Sequence, residues 1–319
     1  MTALPVRLAH TLEVCPEDQR WLIEGLWSAE AVGIVGGEPK CCKSFLVLDM
    51  AVAVASGTPC LRRFPTMARG RVLLFAAEDS LSVVRQRLVG IAAAAGFALE
   101  DLDIQVIVAP VVRLDVELDR TRLEDTVRAL RPTLLILDPF VRLHRIDENV
   151  SSEVAPLLDF LRGLQRRHQV AVVLVHHSRK GASHLRAGQA LRGSSELHAW
   201  GDSNLYLRRN ASDELSLTVE HRAAASMEGL ALCLTQSGDA LALCVVDSAR
   251  PPALPTLASP LARVERVLLD AAEPLSQRQI RDHVKLRAAT VSDALAALVT
   301  DGRVTREDGR YRKIALAQP

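Results

Sequence analysis

Aromatic side chains are scarce: tryptophan, tyrosine and phenylalanine together make up 3% of the 319 residues. That is too few for the base-stacking surface on which many single-strand binders rely. Net charge is nearly absent too, at +1, so there is no global basic field and any nucleic-acid contact has to come from local patches. A histone-like or polybasic protein is thereby excluded. No run reaches the ~18 apolar residues of a membrane span, and the first residues lack a basic start followed by an apolar stretch and a small-residue cleavage site. These absences predict a soluble, cytoplasmic chain with no membrane partner. The six cysteines, Cys15, Cys41, Cys42, Cys60, Cys233 and Cys244, lack the C-x-x-C pairs of a zinc site and are too sparse for a secreted disulfide scaffold. Reduced thiols are expected.

What the chain does have is aliphatic residues, with 49% of positions hydrophobic, enough for one large core and a small second domain. From Val32 to Val175, short apolar runs alternate with helix-length amphipathic segments, the pattern of a parallel sheet covered by helices. The runs Val32–Val35, Val72–Phe75, Ile104–Val108, Leu134–Leu137 and Val170–Val175 are apolar almost throughout, as strands buried on both faces should be. Helices are expected over Phe45–Ser56, Leu81–Ala95 and Glu153–His168, the first two closed by Gly57 and Gly96. From Leu205 to Val246 strand-like pieces follow one another without helices between them, which predicts antiparallel strands extending the sheet.

The stretch 248–260 is proline-rich and aperiodic, a semi-extended linker. It divides a large α/β unit, residues 1–247, from a small module, residues 261–319. In that module Leu261, Val264, Val267 and Leu268 mark one helix, Ser276 and Gln279 form a capping box opening a second, and Val291, Leu295 and Leu298 mark a third. A hairpin turning at Asp308-Gly309 completes a winged-helix order.

Chemistry enters after the first long strand. Gly36-Gly37-Glu38-Pro39-Lys40-Cys41-Cys42-Lys43-Ser44 precedes a helix beginning near Phe45, the strand–loop–helix setting of a phosphate-binding loop. Residues Gly37 to Phe45 are therefore the nucleotide-binding candidates. Lys43 would neutralise the β and γ phosphates of ATP, and the Ser44 hydroxyl would bind Mg²⁺. The usual motif has glycine before the lysine, where this chain has Cys42, and a β-carbon is disfavoured there. The vicinal Cys41 and Cys42 are read as small side chains filling space, with a redox pair as the alternative. Thr133-Leu-Leu-Ile-Leu-Asp138 is an apolar strand ending in an acid, so Asp138 is the second metal candidate beside Ser44. An Asp that merely caps the turn before Pro139 is the alternative.

With Trp21-Leu-Ile-Glu-Gly-Leu-Trp27, Gly37-Glu-Pro-Lys40 and Leu74-Phe-Ala-Ala-Glu-Asp-Ser80 in view, the chain from Trp21 to about Leu232 resembles the ring-forming RecA/DnaB-type ATPases, and among them the RepA-like hexameric replicative helicases of plasmids. The resemblance implies a RecA-like P-loop fold with a mostly parallel twisted sheet. It also implies that Glu78 polarises the attacking water, with helix capping by Glu78-Asp79-Ser80 as the alternative, and that His177 in Leu174-Val-His-His177 reads the γ-phosphate. The polar segment Ser178 to Ala190, with Lys180 and Arg186, matches the loop such rings present to DNA, or is a solvated surface loop. Arg222 falls where an arginine finger reaches a neighbour's nucleotide, with Arg208 and Arg209 as rivals.

From Leu261 onward eleven basic residues face eight acidic ones, a modest excess. Lys285 and Arg287 precede the candidate recognition helix, and Arg310 and Arg312 lie in the hairpin, positions suited to phosphate contacts flanking a groove. A protein-binding winged helix is the alternative. The expected whole is an α/β, Mg²⁺-dependent ATPase acting on DNA as a homo-oligomeric ring. Its rival is a nucleotide-gated DNA-binding regulator or adaptor with weak hydrolysis.

Overall fold

The structure, a computed structural model, describes residues 6–12, 16, 19–177, 195–210, 214–237, 240–246, 260–271, 273–284, 288–301, 303–307 and 309–313. The loop carrying Lys180 and Arg186, most of the proline-rich linker, and Lys285 and Arg287 lie outside the described residues.

A short hairpin, β1 (Trp21–Ile23) with β2 (Trp27–Ser28), leads into β3 (Val32–Gly37) and α1 (Lys43–Ser56). Then come β4 (Val72–Ala76), α2 (Leu81–Ala94), β5 (Ile104–Val106), α3 (Glu117–Leu130), β6 (Leu134–Asp138), α4 (Ser151–His168) and β7 (Ala171–His177). After α5 (Ser195–Trp200), the strands β8 (Ser203–Arg209), β9 (Leu215–His221), β10 (Met227–Ser237) and β11 (Ala240–Val245) follow. All but the first hairpin join one nine-stranded sheet, in the order β11-β10-β9-β8-β3-β7-β6-β4-β5. From β8 to β5 the pairings are parallel; β9, β10 and β11 add on antiparallel, as the helix-free sequence beyond Leu205 predicts.

The central strands are apolar on both faces because each face has its own core. Val35, Ile136 and Val173 pack with α1 and α2, while Ile34, Leu137 and Leu174 pack with α3, α4 and α5. Gly33 lets β3 run against the start of β8, since a β-carbon there would lie 1.7 Å from the Ser203 carbonyl oxygen. Helix α1 is buried along nearly its whole length and carries a carboxylate inward at its middle. Asp49 accepts from Leu61 N at 2.6 Å and from the Arg62 guanidinium, which also donates to the Leu243 carbonyl at 2.6 Å. Burial pushes the Asp49 carboxyl up while Arg62 opposes the shift. This buried pair ties the first helix to the loop after it and to the edge strand β11.

The C-terminal residues form α6 (Pro260–Asp270), β12 (Leu275–Ser276), α7 (Gln277–Val284), α8 (Ala288–Thr300), β13 (Val304–Glu307) and β14 (Arg310–Lys313), with strand order β12-β14-β13. Val264, Ile280, Leu295, Leu298 and Tyr311 make their own small core. The Ser276–Gln279 box is formed, with Ser276 N donating to Gln279 Oε1 at 2.9 Å and Gln279 N to Ser276 Oγ at 3.4 Å. The second helix starts where that signal places it.

Candidate nucleotide site

Strand register gathers the candidate residues at one edge. Gly37 of β3 pairs with His177 of β7 and with Leu207 of β8, and Ala76 of β4 pairs with Asp138 of β6. Five carboxyl ends therefore open side by side, the place where parallel sheets take their ligands.

The loop from Glu38 to Cys42 turns back on itself through two left-handed residues, Lys40 (φ 68°) and Cys42 (φ 65°). Such a turn points successive N–H groups into one concavity, at the positive end of α1. A β-carbon at Gly37 would lie 2.4 Å from the Leu207 carbonyl oxygen and 2.5 Å from Cys41 Sγ, so only glycine fits where the strand enters the loop. Lys43, almost wholly buried, donates from Nζ to the carbonyls of Gly37 (2.9 Å) and Glu38 (2.8 Å). Burial lowers the pKa of its ammonium, with Cys41, Asp138 and Glu78 working against that shift. Cys41 is buried, which pushes its thiol up and makes it a packing residue of the loop.

Cys42 is the cap of α1 and is left-handed there, the conformation for which glycine is usual. A non-glycine residue in it costs about 1 kcal/mol, which glycine would relieve while losing a similar amount to its greater freedom in the unfolded chain. Its sulfur also lies 3.6 Å from Arg209 Nη2 at the end of β8. We therefore expect Cys42→Gly to leave the melting temperature nearly unchanged and to raise ATP turnover about three- to tenfold, by opening the loop mouth to phosphate. A thermal melt and a coupled phosphate-release assay check the two halves separately. Turnover that stays flat would show that the thiol does not obstruct the loop.

Ser44 stands next to Lys43, and its hydroxyl lies beside the Asp138 carboxylate. Burial raises the Asp138 carboxyl to about 6, with the Ser44 hydroxyl and Lys43 holding it back and Glu78 adding to the rise. A hydroxyl and a carboxylate at a strand edge are the hard oxygen donors that Mg²⁺ takes. The concave loop, the buried Lys43 and this oxygen pair fit a magnesium nucleotide.

Glu78, Asp79 and Ser80 follow β4 and have separate partners. Ser80 caps α2, accepting from Val83 N, and Asp79 pairs with Arg87 at 2.5 Å. Glu78 faces the strand edge instead: Oε1 lies 3.6 Å from Arg142 Nε and Oε2 lies 3.7 Å from His177 Nε2. The structure thus brings Lys43, Ser44, Asp138, Glu78 and His177 to one place. Phe45 carries the Arg87 guanidinium over its ring, 5.1 Å from the centroid.

Arg222 is not brought there. It follows β9, whose His221 end pairs with Ser203 at the start of β8, and so it sits at the opposite, amino edge of the parallel strands. Its guanidinium lies 3.4 Å from Asp202 and donates to the Ala199 carbonyl. Of the rivals, Arg209 is the one at the phosphate loop. Arg310 and Arg312 are exposed on one face of β14, flanking the buried Tyr311.

Sequence reading missed Arg142 and the buried group His144, Glu148 and His176. The four-residue spacing of His144 and Glu148, and the doubled histidine 176–177, were the available signals.

Among the solved structures similar to this chain are two that it covers over nearly their whole length. The RadB recombinase is 18% identical, with 67% of this chain and 90% of that one covered at a TM-score of 0.47. A KaiC-like protein from the hyperthermophilic archaeon Pyrococcus horikoshii OT3 is 13% identical, with 71% and 94% covered at a TM-score of 0.48. Residues 2–183, more than half of the chain and the part that holds the loop, Glu78, Asp138 and His177, match the AAA domain family, to which this protein belongs.

Proposed function

We propose that the chain is a RecA-like, Mg²⁺-dependent ATP hydrolase that acts on DNA as a homo-oligomeric ring, in replication or the maintenance of a mobile element. The observation that carries the hydrolytic reading is the meeting of Lys43, the Ser44–Asp138 pair and the Glu78–His177 pair at one sheet edge. Loop N–H groups and Lys43 hold the phosphates of ATP. Ser44 and Asp138 would hold Mg²⁺, which when bound supplies charge neutralisation on the β and γ oxygens. Glu78 accepts a proton from the water that attacks the γ-phosphorus. The bond from that phosphorus to the bridging oxygen breaks, giving ADP and phosphate. Arg142 and His177, one at each carboxylate oxygen, orient Glu78.

Acting on DNA is supported by the modest basic excess of residues 261–319 and by the exposed Arg310 and Arg312 on one strand of three helices and a small sheet, which we read as a winged helix. Lys180, Arg186, Lys285 and Arg287 are assigned to the same contact. In a ring, Arg222 would serve a neighbour's nucleotide from the amino edge of its own sheet.

The test is steady-state hydrolysis with and without single-stranded DNA, alongside light scattering with and without ATP. A ring motor gives turnover raised about tenfold or more by DNA and a mass several times that of one chain. Cys42 favours a second reading, a nucleotide-gated DNA-binding adaptor. That reading predicts ATP binding with negligible turnover, DNA present or absent.

A further inference from the structure

A second, buried group of titratable side chains lies on the two segments that carry Arg142 and His177, the neighbours of the Glu78 carboxylate. His176 Nε2 is hydrogen-bonded to Glu148 Oε2 at 3.1 Å, and His144 Nε2 approaches Glu148 Oε1 to 3.2 Å, an ion-pair distance without hydrogen-bond geometry. Both imidazoles are 2% exposed and Glu148 is 15% exposed. The Phe140 ring packs against the two histidines, at 4.4 and 6.2 Å between centroids. Burial alone would push the Glu148 carboxyl up, but His144 and His176 hold it down, at about 2. A carboxylate kept ionised in such a place attracts the ring N–H groups on either side of it, because little water competes.

The positions of those neighbours matter. His176 is next to His177 on β7, and alternation along the strand sends the two side chains to opposite faces. His144 comes two residues after Arg142, just beyond the 3-10 turn Phe140–Arg142. So the two segments that Glu148 joins are the same two from which Arg142 and His177 reach the oxygens of Glu78. From the far side, Arg113 fastens the turn by donating to the Arg142 and His144 carbonyls, each at 2.9 Å. The β7 end is fixed to the phosphate loop through the Gly37–His177 pairing.

We infer that Glu148 is a positioning residue: by bridging His144 and His176 it clamps the turn at 140–144 to the end of β7, and so sets how Arg142 and His177 hold Glu78 for hydrolysis. The inference rests on the role proposed above for Glu78, but the clamp has a readout of its own. No residue of the clamp belongs to the phosphate loop, so ATP binding is left in place.

The experiment uses the full chain, with Glu148→Ala and Glu148→Gln compared by amide hydrogen exchange and by steady-state kinetics. In Glu148→Ala, exchange rises about tenfold or more at 140–144 and 174–177 while α1 is unchanged, kcat falls about tenfold, and KM for ATP stays within about threefold. Glu148→Gln offers one acceptor and one donor to the two imidazoles, whose Nε2 can take either role, and recovers kcat to within about threefold of wild type. Should Glu148→Ala fail to fold, His176→Leu removes one arm only and gives the same pattern at reduced size. Unchanged exchange at both segments, or looser segments with wild-type kcat, overturns the clamp. Exchange rising throughout the domain with KM and kcat lost together, unrescued by glutamine, overturns it in favour of a purely structural role. A wild-type chain that turns over no ATP overturns the hydrolytic reading instead.

Discussion

Lys43→Ala is expected to weaken ATP binding by about a hundred- to a thousandfold, measured by titration with a fluorescent ATP analogue. Nζ makes two charge-assisted bonds, to the Gly37 and Glu38 carbonyls, and each bond of that kind contributes about 1.5–3 kcal/mol. In the nucleotide complex the same ammonium faces phosphate oxygens, so removing it takes away both the brace of the loop and the charge opposite the ligand. The folded chain itself should lose little, since the cost of burying the ammonium, seen in its lowered pKa, disappears with it. Lys43→Arg is not expected to rescue binding, because the planar fork cannot fold back onto two carbonyls of its own loop as a compact ammonium does. Binding of Lys43→Ala within about threefold of wild type would falsify the assignment of Gly37 to Phe45 as the phosphate site.

How much of this was legible follows from where the information lies. β3, β6 and β7 were readable because strands covered on both faces have to be apolar at nearly every position, and Val32–Val35, Leu134–Leu137 and Val170–Val175 are. The Ile104–Val108 run gave only the three-residue β5, an edge strand with one neighbour to pair with. Helix α3 was not expected at all: of its fourteen residues only Leu123 and Val127 are buried, too narrow a stripe to stand out in a stretch dense with Asp, Glu and Arg. The nucleotide loop was legible as a local motif whose function needs consecutive residues. Arg142 and Glu148 were not, since their importance comes from strands and turns far apart in the chain meeting at Glu78 and at His176. Arg222 was singled out by its place in the sequence alone; β9 runs antiparallel to β8 and carries it to the amino edge of its own sheet, so a finger role there concerns a neighbouring chain's nucleotide and not its own.

Glu78→Gln is expected to lower kcat by about a hundred- to a thousandfold while ATP affinity stays within about threefold. Glutamine keeps the shape and one acceptor oxygen but cannot take a proton from water, so the loss isolates the base from the packing. The side chain is well placed to show such a separation: it follows β4 outside the phosphate loop, is 43% exposed, and has no part in capping α2, which belongs to Ser80. Removing its partners should cost less, since Arg142→Ala or His177→Ala leaves the carboxylate present but free to turn, and about tenfold in kcat is expected for each. Because both act through one carboxylate, their effects should not add, and either substitution placed in Glu78→Gln should change turnover little further. A Glu78→Gln enzyme that hydrolyses ATP at the wild-type rate would move the base elsewhere. One that binds ATP and holds it unhydrolysed would also stabilise any ATP-dependent oligomer, so the same variant, examined by light scattering, tests whether assembly follows nucleotide binding or its hydrolysis.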